Sequence, residues 1–171
     1  SVLNFNGCNL GDVFTVNGTL NWTGGQIYGV TYPTTMVTLA PGGVLNLSGA
    51  ADKLLGYAII TNGGTVNWTG TGKILVLYGG VTITNQPGAL FDLQTDAKLQ
   101  TTTDQGNNFS PFYNAGTLRK SAGTGTNIVS GNLTFINTGS VEVRSGGLGF
   151  NIGFNQTAGE NIIAADGNHD F

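Results

Sequence analysis

The feature that most constrains this chain is a phrase that returns at uneven intervals. "NGTLNWTGGQI" at 17–27 comes back as "GGTVNWTGTGKI" at 63–74, and shorter echoes read "GVLNL", "ALFDL", "GTLRK" and "GSVEV". Aligned on their first apolar position, the copies fall at Leu20, Leu45, Val66, Phe91, Leu118 and Val141, with steps of 25, 21, 25, 27 and 23 residues. Four residues before an anchor stand Pro41, Asn62, Pro87, Asn114 and Asn137, all turn formers. Ahead of those turns lies another short alternating run, such as "VFTV", "MVTLA", "YAII", "VTIT" or "LTFI". One unit is therefore strand, turn, glycine, second strand and variable loop.

A unit of about two dozen residues cannot bury its own apolar face, whereas stacked copies can. Each strand then pairs in parallel with its equivalent one coil away, about 4.8 Å distant. The repeat predicts an all-β parallel β-helix (β-solenoid) of about six to seven coils. It forms one domain over 1–171, with 150–171 as a degenerate last coil or docking segment. A β-propeller needs a longer unit and a leucine-rich repeat a different spacing. An antiparallel sandwich is the competing architecture, and the aligned "NWTG" phrases favour the solenoid.

Alternation along a strand assigns the faces. Leu20, Trp22, Leu45, Leu47, Val66, Trp68, Phe91, Leu93, Leu118, Val141 and Val143 point inward and form the predicted core. A tryptophan pair exposed for stacking on sugars is the rival for Trp22 and Trp68. The leucines that replace them in other copies favour the interior. The outward column runs Asn21, Asn46, Asn67, Asp92, Arg119, Glu142. Stacked asparagines can hydrogen-bond as a ladder. The alternating charges place Arg119 between Asp92 and Glu142, where opposite charges on paired strands help modestly, as surface pairs do.

Composition narrows function. Only 9% of the residues are charged, against 39% apolar and 29 glycines, so hydroxyls and amides dominate the surface. With six Lys and Arg and a net charge of −3, an electrostatic grip on nucleic acid or a basic membrane-binding face is not expected. No apolar run reaches spanning length and no signal segment opens the chain, so membrane insertion is not expected and the chain reads as a mature protein or an excised fragment. Cys8, the single cysteine, reads as a small core residue, with an intermolecular disulfide as the alternative.

No catalytic constellation emerges. The carboxylates Asp12, Asp52, Asp92, Asp96, Asp104, Glu142, Glu160, Asp166 and Asp170 are scattered. Asp92 and Asp96 lie four apart across a turn and read as a solvated loop. Lys120 opens "KSAGTGT" without an evident partner base. His169 is the only histidine; Asp166, His169 and Asp170 could hold a metal by residue type, but a frayed terminus is the simpler reading. "GTGK" at 70–73 lacks the Ser or Thr a phosphate loop needs, because Ile74 follows. N-x-S/T triplets begin at Asn17, Asn21, Asn46, Asn67, Asn108, Asn132 and Asn155 and reflect composition. No cofactor or metal is expected. A flat array of outward threonines could bind ice, but that needs one regular threonine column, which the spacing of the copies does not supply.

The units "APGGVLNLSG", "NQPGALFDLQTDA", "NNFSPFYNAGTLRKSAGTGT", "FINTGSVEVRSGGLGF" and "GFNQTAGE" resemble the Gly/Asn/Thr-rich repeats of large bacterial surface and secreted proteins. They are similar to the β-solenoid stalks of adhesins and autotransporter passengers, over roughly 17–160. The resemblance implies an extracellular, right-handed parallel β-helix used as a stalk, scaffold or assembling unit, and it carries over no catalytic residues. The expected function is a non-enzymatic secreted or cell-surface structural or adhesive element, self-associating through its solenoid ends. The alternative is a carbohydrate-binding module that presents Tyr28, Tyr32, Tyr57 and Tyr78 to an extracellular polysaccharide; a third reading is a polysaccharide-active enzyme.

Overall fold

The computed structural model describes residues 1–30, 35–77, 80–102 and 110–163, together with the backbone of 167–170. The described residues form strands and turns without a helix, and every strand pairing is parallel and joins one coil to the next. The chain is the expected parallel β-solenoid, with three strand faces per coil.

On face A the strands Val13–Val16, Thr35–Leu39, Ala58–Asn62, Thr82–Asn85 and Ser110–Asn114 stack in order, continued by the second halves of Thr126–Asn137 and Gly146–Gln156. On face B the first halves of Val2–Leu10 and Thr19–Tyr28 are followed by Val44–Leu47, Thr65–Trp68, Leu90–Leu93, Thr117–Lys120, Ser140–Val143 and Glu160–Ile163. Face C holds the second halves of the first two long strands, then Lys53–Gly56, Ile74–Val76 and Leu99–Thr101, the first halves of Thr126–Asn137 and Gly146–Gln156, and Gly167–Asp170.

The anchors share one register. Leu20 pairs with Leu45, Leu45 with Val66, Val66 with Phe91, Phe91 with Leu118 and Leu118 with Val141. All six are buried, as are Trp22, Leu47, Trp68, Leu93 and Val143. A phenylalanine stack runs beside them, Phe91 to Phe112 to Phe135 to Phe150, with ring centroids 5.4, 5.3 and 4.6 Å apart. Burial of these side chains from neighbouring coils against one another is what a single coil could not achieve.

The turn from face A to face B differs from the sequence-based alignment. Pro41 and Pro87 do not occupy the slot of Asn62. The register places Leu39 and Asn85 opposite Asn62 instead. In those two coils a Pro-Gly pair is inserted after the slot. The amide of Gly43 donates to the carbonyl of Ala40 at 2.8 Å, and that of Ala89 to Gln86 at 3.0 Å. Gly42 and Gly88 stand at φ 83° and 80°, as the third position of a Pro-Gly turn requires. The other coils make the same corner without the extra pair, and there the chains approach closely. A Cβ on Gly64 or Gly139 would collide with the carbonyl oxygen of Gly43 or Gly116, its counterpart one coil earlier.

Cys8 is exposed rather than buried. The register between the first two coils slips at Phe5/Asn6 and again before Asn9, and Gly7 turns the chain at φ 73°. Strand alternation therefore does not carry through to Cys8, and the inward assignment fails there.

Candidate functional site

Three features of this scaffold place polar chemistry in defined positions: the corners between faces B and C, the outer surface of face B, and the outer surface of face A.

At the B–C corners the chain must satisfy backbone carbonyls that have left the sheet. The duplicated "NWTG" phrase does this with tryptophan. Trp22 Nε1 donates to the carbonyl of Gly24 at 3.0 Å, and Trp68 Nε1 to that of Gly72 at 3.2 Å. Each ring fills the core and its one polar atom caps its own corner, as buried indoles do. Two lysines perform the same task elsewhere: Lys53, which strand alternation does not flag, and Lys120, whose missing partner is Asp96. Lys120, fully buried, takes the slot used by Trp22 and Trp68 in other coils. Its Nζ donates to the carbonyl of Thr95 and to Asp96 Oδ1, both at 2.6 Å. Lys53, also fully buried, donates to the carbonyls of Ser48 at 2.5 Å and Ala51 at 2.7 Å. Burial pushes the Lys53 ammonium below the ordinary lysine range, opposed by the nearby Asp52 carboxylate. The hydrogen bond from Lys120 holds the Asp96 carboxyl below its usual range, aided by backbone donors at Gly125 and Thr124. The signal for both lysines was their place in the repeat: each stands where other coils carry an apolar residue.

On the outside of face B the expected ladder is present. Asn21 donates to Asn4 at 2.8 Å, Asn46 to Asn21 at 2.9 Å and Asn67 to Asn46 at 3.1 Å. Charged residues then take over the column. Arg119 Nε reaches Glu142 at 2.8 Å, and Arg144 reaches the same carboxylate oxygen at 2.8 Å. Asp92, opposite Arg119 in register, accepts instead from Gln94 at 3.0 Å. It is 6% exposed, so it does not belong to a solvated loop. Its Oδ1 is buried without a hydrogen-bond partner among the described residues. Asn67, its neighbour one coil earlier, already gives an amide hydrogen to Asn46 and leaves the amide chain ending against a carboxylate. Glu142 is likewise nearly buried, with a side chain 12% exposed, so this cluster is more desolvated than the surface pairs the sequence suggested.

On the outside of face A the register assembles what the spacing concealed. Thr15 pairs with Thr38, Thr38 with Thr61 and Thr61 with Thr84. The Pro-Gly insertions hide this column. Thr15 and Thr61 precede their anchors by five residues, whereas Thr38 and Thr84 precede theirs by seven. The column continues as Tyr113 and Ile136.

Of the four candidate tyrosines, Tyr32 and Tyr78 lie outside the described residues. Tyr28 and Tyr57 come together with ring centroids 5.8 Å apart and planes at 65°. That edge-on arrangement is not a coplanar row. Tyr57 adopts φ 48°, uncommon for an aromatic residue, and Tyr28 lies over Gly56, where a Cβ would strike its ring. The two rings therefore close the corner between faces C and A. Asp104 and Asn108 also lie outside the described residues, as do the side chains of Asp166, His169 and Asp170. Among the described residues no group of three His, Cys, Asp or Glu side chains is arranged to hold a metal.

The chain matches no family model, no curated protein and no solved structure.

Proposed function

We propose that this chain is a non-enzymatic, extracellular structural or adhesive β-solenoid that associates end to end. The observation that carries the proposal is the uncovered first rung. Leu3 is 54% exposed, although it pairs with the fully buried Leu20 and belongs to the same inward column, and Val2 beside it is 66% exposed. Val2 and Leu3, together with Leu10, Phe14 and Val16, line a concavity of about 440 Å³. This is one layer of the repeating core that the described residues leave uncovered. A repeat fold covers such a layer with a capping unit or with another coil. At the opposite end Ile162 and Ile163 are 44% and 47% exposed. A second copy that stacks its last rung on the first rung of its neighbour makes a heterologous contact, and repetition of that contact yields a filament. The resemblance to surface-protein stalks and the low charge of the chain support an extracellular setting.

Light scattering and electron microscopy over a concentration series test this reading. Particles that lengthen with concentration, and that Leu3→Lys returns to single copies, are the expected result. A strictly monomeric particle at every concentration would overturn it.

A further inference from the structure

The threonine column on face A carries an inference that needs only the fold and stands whether or not the ends associate. Thr15, Thr38, Thr61 and Thr84 sit one above another in consecutive coils, so their hydroxyls recur about every 4.8 Å over about 14 Å of axis. Two residues upstream the same strands present Val13, Met36, Ile59 and Thr82, paired in the same register. None of these outward positions is charged. Threonine is stiff at χ1, which limits the directions its hydroxyl and methyl can take.

The chemistry of the two outer faces differs in a way that matters for binding. On face B the asparagine amides are engaged with one another, and the outward threonines Thr19, Thr65 and Thr117 are separated by Val44 and Leu90, so they form no unbroken column. On face A the four stacked threonine hydroxyls make no hydrogen bond within the described residues. They are a row of donors and acceptors, evenly spaced, beside a row of mostly apolar side chains. The methyl groups of this strip restrict where water can sit, and its hydroxyls offer water anchors at the coil repeat. Charged groups would impose their own hydration geometry, and the strip has none. Directly beneath it the inward residues Val37, Leu39, Ile60, Asn62, Ile83 and Asn85 are buried, so the surface rests on packed core.

We infer that face A of the first four coils is an ice-binding surface, its ligand being the ordered water of an ice crystal plane. The strip ends where Tyr113, 42% exposed, follows Thr84 in the column.

Cys8 supplies the means of testing it, because it is the single cysteine and is exposed. The full chain, labelled at Cys8 with a maleimide dye, is presented to a slowly growing ice surface and the dye captured in the ice is measured. The expected result is capture of the native chain and a several-fold loss in Thr61→Tyr, which puts bulk in the centre of the strip. Thr65→Tyr, on face B, should be captured as well as the native chain, and all three proteins should melt at similar temperatures. Suspended cellulose serves as a parallel surface. Exclusion of the native chain from ice would overturn the inference, as would equal capture of Thr61→Tyr. So would cellulose binding that Thr61→Tyr abolishes while ice capture is absent, because the strip would then be a polysaccharide platform.

Discussion

Two asparagine ladders run along this solenoid, and the contrast between them shows how burial changes the meaning of one side chain. The outer ladder, Asn4 through Asn67, lies on face B with only neighbouring amides as partners. The inner ladder, at the corner between faces A and B, links Asn62 to Asn85, Asn85 to Asn114 and Asn114 to Asn137 at 2.7–2.8 Å. Its members are at most 1% exposed. Three of the four inner amides spend their second hydrogen on a backbone carbonyl of the next coil, Asn62 on Leu90, Asn85 on Thr117 and Asn114 on Ser140, and Asn137 at the end donates to Gly139 in its own coil. Those backbone partners fix the direction of the inner ladder. The outer ladder donates toward earlier coils and the inner ladder toward later ones. The inner amides are staples between coils, and the outer amides are a patterned surface.

The largest expected effect follows from breaking the inner ladder. Asn85→Ala removes the acceptor for Asn62 and the donor to both Asn114 and the Thr117 carbonyl. With each orphaned buried group costing about 1–3 kcal/mol, chemical denaturation should show a loss of about 3 kcal/mol or more. Asn46→Ala breaks the outer ladder at an equivalent place but leaves its neighbours open to water, and should cost about 1 kcal/mol or less by the same reasoning. Equal losses at the two sites would erase the distinction.

The place where the outer ladder meets charge offers a gain. Asp92 Oδ1 is buried without a donor among the described residues, next to Asn67 in register. Asp92→Asn supplies an amide that can continue the ladder and still accept from Gln94. It should raise stability by about 1 kcal/mol, the net worth of a hydrogen bond. A loss in the same denaturation assay would show that the Asp92 charge is needed beside Arg119.

The smallest effect is a pH dependence at one corner. The folded Asp96 carboxyl is held below its ordinary value of 3.8 by Lys120. A carboxyl whose folded pKa is depressed adds stability that is present above the unfolded value and lost as pH falls through the folded one. Melting temperature should therefore fall as acid takes the native chain below pH 3.8, and Lys120→Met should flatten that part of the profile. An unchanged acid slope in Lys120→Met would remove Lys120 as its cause.

Face B was legible because nothing interrupts it. From Leu20 to Val141 each copy alternates through the same short strand, so one anchor per copy sets the pairing, the inward column and the asparagine ladder. Face A was not, because Pro41-Gly42 and Pro87-Gly88 add two residues between the faces in some coils only. An even number of inserted residues keeps the inward–outward alternation intact, so the strand pattern gave no warning of the shift. The threonine column and Asn85 were lost to that shift. The corner roles of Lys53 and Lys120 were lost for another reason. A lysine at a core position looks like an error in the pattern until the corner carbonyls that receive its ammonium are in view.

The register across the Pro-Gly turn is the central structural claim, because the inner ladder and the threonine column both depend on it. It can be read directly with engineered disulfides in a Cys8→Ser background. Thr38 and Thr61 are register partners, whereas Ala40 is the residue that anchor spacing alone would place opposite Thr61. Partners on adjacent strands lie within the Cα separation of about 4.4–6.8 Å that a disulfide spans. A partner two residues out of register lies beyond it, at about 7–8 Å. Under mild oxidation, Thr38→Cys with Thr61→Cys should form an intrachain bond quantitatively, and Ala40→Cys with Thr61→Cys should remain reduced. The reverse pattern, in which the Ala40→Cys variant is bonded and the Thr38→Cys variant stays reduced, would contradict the account.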